Sequence, residues 1–156
     1  MTAAEYRALA ELRYRIRRFL RGGEAVARAA GLEPQQYLML LAICGLPQGE
    51  VATIRTLADR VVLKHRSTVE LIDRLEKHGY VCRSRGRDDR RLVTVSLLPL
   101  GQRVLERVAR HRISELRSNG HRLVHAINQL LEHGRQPRNA NRQRKSPPRR
   151  GRDQSG

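Results

Sequence analysis

Two groups of residues in this chain have types and spacing suited to chemistry. The first is Arg85-Gly86-Arg87-Asp88-Asp89-Arg90-Arg91, four arginines around a glycine that permits a bend. The second is His65, Arg66, Ser67, Glu70 and Arg74. At helical spacing these five fall on the outer side of a helix or its edges, because Leu71, Ile72 and Leu75 take the inner side. Guanidinium groups suit phosphate oxygens and, in bidentate geometry, the guanine edge. The chemistry on offer is therefore recognition of a polyanion by charge and by hydrogen bonding.

The elements that must position these residues can be read around them. Thr53 caps a helix over TIRTLADRV through its hydroxyl, and Leu57, Ala58 and Val61 supply its buried face. Val62-Leu63 is the turn, without the glycine often found there. A second helix spans KHRSTVELIDRLEKHG and ends at Gly79. Tyr80 to Ser84 and Leu92 to Leu98 are the arms of a hairpin, in which Val93, Val95 and Leu97 alternate with Thr94 and Ser96. A short helix pair followed by a hairpin with an arginine-rich tip is a winged helix-turn-helix. It places one helix in the DNA major groove and the loop against the backbone or minor groove. The expected fold is mainly α with a small β-hairpin wing and flanking dimerisation helices.

The flanks follow from periodicity. From about Ala4 to Leu20, Leu9, Leu12, Ile16, Phe19 and Leu20 share one face of a helix. Gly22-Gly23 should break or kink it, and a second piece should run from Glu24 to Ala30, ending at Gly31. Pro34 opens a largely apolar, central helix to about Gly45. Pro99 begins a long helix to about Ser118, with Val104, Leu105, Val108 and Ile113 marking its buried side. Asn119-Gly120 should interrupt it before a last helix to His133, carrying Leu123, Ile127, Leu130 and Leu131 on one face. The boundaries expected are 1–32 and 99–134 for dimerisation helices, 33–98 for the winged unit, and 135–156 for a disordered basic tail. That tail has eight basic residues and one acid, hence 8 − 1 = +7 of the total +17, and almost nothing apolar to bury.

Composition narrows the partner. The 156 residues carry 32 basic and 15 acidic side chains, an excess that points to nucleic acid. Aromatics make up 3% and Trp is absent, whereas single-strand and RNA binders stack bases on aromatic platforms. Duplex DNA is favoured. No stretch approaches the roughly 18 apolar residues of a membrane span, and no signal peptide is apparent, so a cytoplasmic location is expected. Cys44 and Cys82 lack metal-ligand spacing and are expected to be small buried thiols, with oxidant sensing as the alternative. No nucleophile elbow, phosphate-binding glycine loop or HExxH motif occurs, so neither an enzyme nor a cofactor is expected. His121 and His125 lie four apart, a spacing that can hold metal on a helix; solvated histidines are the simpler reading, and no metal site is expected. A metal-responsive regulator of the same fold and a basic structural RNA-binding protein are the alternatives.

The stretch LADRVVLKHRSTVELIDRLEKHGYVCRSRGRDDRRLVTVSLLPLGQRVL resembles the MarR family of transcriptional regulators. The resemblance rests on the D-x-R pattern at Asp89-Arg90-Arg91, the strand LVTVSL, then Leu98-Pro99-Leu100-Gly101, and on RLEKHGYV at the end of the recognition helix. With the flanking helices it covers about residues 5 to 133. It implies a homodimer with interleaved terminal helices on a pseudo-palindromic operator. Most such proteins repress, and release DNA when a small molecule or oxidant arrives. By position, Asp89 braces the wing, Arg90 or Arg91 enters the minor groove, and His65, Arg66, Ser67 and Glu70 meet bases. Arg74 and Arg87 complete the expected DNA-binding set. Lys64 stands where a Ser or Asp cap is common, and Leu98 replaces a frequent Thr.

Overall fold

The computed structural model describes residues 1–86 and 92–133. The chain runs α1 (Ala3–Ala29), α2 (Pro34–Cys44), α3 (Ile54–Val61), α4 (His65–Lys77), β1 (Val81–Arg85), β2 (Val93–Leu97) and α5 (Pro99–His133). α1 and α5 lie against each other, and the smaller elements gather around α2 at one end of that pair.

Local chemistry sets the boundaries. Thr2 and Glu5 form a reciprocal capping box on α1, and Glu33 with Gln36 does the same for α2, where Pro34 sits in the first turn. Thr53 caps α3, its hydroxyl accepting from the Thr56 N–H at 3.1 Å. α4 ends at the His78 cap, followed by Gly79 in the left-handed region, and the Tyr80 N–H returns to the Leu75 carbonyl. β1 and β2 pair antiparallel, from Val81 opposite Leu97 to Arg85 opposite Val93. The linker before α3 adds to this hairpin: Thr53 bridges Thr94, and the Val95 N–H donates to the Ala52 carbonyl at 2.9 Å.

The core joins every element. Leu32, Met39, Leu40, Leu57, Leu71, Ile72, Leu75, Val81, Val95, Leu105 and Val108 are all buried in one cluster. α3 and α4 thus hold their positions by inward leucines and isoleucine, which leaves their polar faces outside.

Several expectations are corrected. Gly22-Gly23 does not break the first helix, and Asn119-Gly120 does not break the last; α1 runs 27 residues and α5 runs 35 without interruption. At Gly23 the reason is cross-helix packing. A β-carbon there would sit 3.0 Å from Arg112 Nε, so the glycine lets an α5 side chain lie on α1. Burial on α5 differs as well: Arg112 is 6% exposed and Ile113 is 49% exposed. Cys44 is exposed and Cys82 is half-buried, because Cys44 closes α2 near solvent and Cys82 lies in a two-stranded sheet.

Val62 solves the tight turn at a cost. It caps α3 with φ 55° and ψ 47°, the left-handed region, and is 87% exposed. A β-branched residue there forfeits about 1–2 kcal/mol and packs against little. Val62→Gly is expected to raise stability by about 0.5–1 kcal/mol after the added unfolded-state freedom is counted. Urea unfolding measures it; a loss of stability would show that the valine side chain contributes packing that its exposure does not suggest.

Candidate nucleic-acid interface

α4 carries one of the two groups of candidate residues. Thr68, Leu71, Ile72 and Leu75 are buried on one side, whereas His65, Arg66, Ser67, Glu70 and Arg74 are all exposed on the other. The structure therefore brings the five expected residues onto one solvent-facing surface. Arg66 Nε donates to Glu70 Oε1 at 3.1 Å, one turn on, with the two side chains 91% and 59% exposed. Such a pair is worth little in water, so Arg66 can exchange Glu70 for a base edge at small cost.

The N-terminus of α4 is open. Lys64 is the N-cap and makes no side-chain cap bond. Its carbonyl instead accepts from the Thr68 hydroxyl at 3.1 Å. Uncapped amide N–H groups and the positive end of the helix dipole favour an anion, and Lys64, His65 and Arg66 surround them.

The wing is only partly described. Arg87, Asp89, Arg90 and Arg91 lie outside the described residues, and with them the expected D-x-R brace. What is described is the base of the hairpin and how it is fixed to α4. Arg83, on β1, donates through Nη2 to Asp73 Oδ1 and through Nη1 to Glu76 Oε2, each at 2.6 Å. Its backbone N–H also donates to Glu76 Oε1 at 3.0 Å. One guanidinium thus ties the strand to two carboxylates a turn apart on α4. Sequence reading missed this residue. The pairs are seven and ten positions apart, and only the strand-to-helix return brings them together.

Because the carboxylates are partly exposed, the fork contributes modestly: Arg83→Ala is expected to lower stability by about 1–2 kcal/mol. Arg83→Lys should recover less than half, since a single ammonium cannot reproduce the fork. Chemical denaturation of both variants checks this, and a lysine variant as stable as the parent would show that charge alone suffices.

Other candidates fare differently. His121 and His125 are both exposed on α5, and no group of three or more His, Cys, Asp or Glu among the described residues could hold a metal ion. A cavity of about 460 Å³ opens between α1, α2 and α5, walled by Leu20, Leu38, Leu41, Ile113 and Leu116, with Arg112 at its edge. Tyr37 also lines it, and burial raises its hydroxyl above the ordinary 10.0 while nearby Arg112 pulls it down.

Residues 30–92, which take in α2, the helix pair and the first strand, match the MarR family. Over this stretch the chain is similar to MarR-family regulators. It is 33% identical over 95 residues to an uncharacterized HTH-type transcriptional regulator of Bacillus subtilis, YsmB, a match covering 61% of this chain and 63% of that one. The chain thus spans somewhat under two thirds of that relative. Its fold is similar to that of a MepR mutant from S. aureus bound to an oligodeoxyribonucleotide, at 14% identity and a TM-score of 0.59, covering 78% of this chain and 88% of the other. It is also similar to CouR from Rhodococcus jostii bound to p-coumaroyl-CoA, at 23% identity and a TM-score of 0.62, covering 78% and 85%. Both likenesses concern the fold. The mainly helical MarR winged-helix fold with its two-stranded hairpin agrees with the architecture expected from the sequence.

Proposed function

We propose that this protein is a sequence-specific duplex-DNA-binding transcriptional regulator of the MarR family, acting as a dimeric repressor that a small ligand releases. One observation carries the reading: α4 buries its apolar side completely and exposes His65, Arg66, Ser67, Glu70 and Arg74 together beside an uncapped, positively charged N-terminus. A major groove admits a helix presented in this way. The helix is also fixed to the wing strand through Arg83.

Dimerisation is supported by apolar residues that one chain leaves outside. Tyr6, Leu9 and Ile16 on α1 and Val124, Ile127 and Leu131 on α5 are each 40% exposed or more. A second copy would cover them, and a two-fold dimer would set its two recognition helices on half-sites about 34–36 Å apart. Ligand release is supported by the largely apolar cavity between α1, α2 and α5, with Glu24, Tyr37 and Arg112 as its polar groups.

The division of labour is testable. Arg66 is assigned a bidentate contact to guanine, so Arg66→Ala should relax preference at one position per half-site, by roughly 1–3 kcal/mol. Arg91 is assigned to phosphate or the minor groove, whose base code is degenerate, so Arg91→Ala should weaken all duplexes alike. Binding to the DNA flanking the protein's own gene, mutated base by base, separates the two. Equal losses on every base variant with Arg66→Ala would make Arg66 a phosphate contact. Sedimentation at micromolar concentration should show a dimer; a monomer alone overturns the two-half-site arrangement.

A further inference from the structure

A second cavity, of about 600 Å³, lies between the middle of α1 and the middle of α5. We propose that it binds a small organic molecule carrying adjacent phosphates. Counting along α5, its walls lie 14–22 residues beyond Gly101, about 21–33 Å along the helix from the base of the hairpin. It is separate from the face of α4, and its proposed use does not depend on DNA binding.

Charge is the reason for the assignment. Arg15, Arg18 and Arg21 follow one another at three-residue spacing on α1, and Arg122 faces them from α5. Residues three apart are neighbours on a helix, and like charges there repel. Arg15 is offset by Glu11, to which its Nε donates at 2.6 Å. Arg18, Arg21 and Arg122 have no ion-pair partner among the described residues. Glu115 is the one carboxylate in the walls, and it is held by buried Arg112. Arg18 has the Tyr14 ring beside it, but three exposed guanidiniums still line one hollow with no carboxylate partner among the described residues. An anion with charges on neighbouring groups would relieve that repulsion and accept bidentate hydrogen bonds.

The floor explains why the ligand should also be organic. Phe19, Leu116 and Leu123 supply apolar surface between the arginines. Gly120 adds no side chain, and a β-carbon there would meet nothing closer than Leu116 Cδ2 at 3.8 Å. Tyr14 also lines the cavity, with the Arg15 and Arg18 guanidiniums 5.6 and 6.0 Å from its ring centroid. A planar or apolar group attached to the phosphates would lie on this surface.

The chain contains no Trp, so Tyr14→Trp places a single fluorescent reporter at the site in the full-length protein. Emission should change saturably with inorganic pyrophosphate and with ADP, and not with sodium sulfate at matched ionic strength. ADP should half-saturate at the lower concentration. Arg18→Gln combined with Arg122→Gln should raise both midpoints at least about tenfold. Arg103→Gln combined with Arg107→Gln removes the same charge from α5 outside the cavity, and should move them less than about twofold. No saturable response, or equal shifts from the two double variants, overturns the site. Equal midpoints for pyrophosphate and ADP overturn the organic part of the assignment.

Discussion

Gly101→Ala is expected to destabilise the protein by about 3 kcal/mol, lowering its midpoint of thermal unfolding by roughly 10 °C. Intrinsic preference says the opposite, because alanine is favoured over glycine in a helix by about 1 kcal/mol. Geometry decides the sign. A β-carbon at Gly101 would lie 2.1 Å from the Tyr80 carbonyl oxygen and 2.9 Å from its carbon, and both are backbone atoms. The same oxygen accepts the Leu98 N–H at 2.9 Å. No rotamer change can make room, so α5 must move away from the hairpin base. Calorimetry on the variant measures the loss. A variant as stable as the parent would mean that the first turn of α5 can shift freely against Tyr80.

The second large effect belongs to Arg112. Its side chain is 8% exposed, pairs with Glu115, donates through Nη2 to the Phe19 carbonyl at 2.7 Å, and lies 4.0 Å from the Phe19 ring centroid. One residue of α5 therefore holds α1 by two kinds of contact, a hydrogen bond and a cation–π contact, both to Phe19. Arg112→Leu keeps the bulk and removes the charge, leaving Glu115 without its partner. Breaking a fully buried pair costs about 3–5 kcal/mol. Glu115 is 30% exposed, so about 2–3 kcal/mol is expected here. Glu115→Gln should cost less, about 1–2 kcal/mol, because the amide oxygen can still accept from Arg112, which also keeps its bond to Phe19. Urea unfolding of the two variants provides the comparison. If both lose the same amount, the loss comes from the pair within α5 and the bond to Phe19 adds nothing measurable.

How far the sequence reaches can be judged element by element. Thr53, Pro34, Gly79 and Pro99 mark boundaries correctly because capping, proline geometry and left-handed turns act over a few residues. Leu57, Leu71, Ile72 and Leu75 are buried as their spacing implies, and this alone turns His65, Arg66, Ser67, Glu70 and Arg74 outward. The failures share a long-range cause. Gly22-Gly23 reads locally as a break, but Arg112 comes 89 positions later to lie across it. Periodicity placed Ile113 inside, although the neighbouring arginine takes that place by bonding to Phe19. Arg83 looks like any strand arginine until Asp73 and Glu76 are folded beside it. Val62 shows no glycine signal, yet it adopts the glycine conformation.

The unbroken course of α5 has a mechanical consequence. At 35 residues it is about 52 Å long, seated at one end on the Tyr80 carbonyl and running along α1 beyond. A hinge at Asn119-Gly120 would let its far half swing independently of the near half; a continuous helix removes that freedom. Any tilt imposed at one end must then reappear at the other, and about 5° at the Gly101 seat displaces the far end by about 4–5 Å. The helix acts as a lever with a glycine at its fulcrum, and a change in how α5 leans on α1 would be geared directly to the attitude of the hairpin and α4.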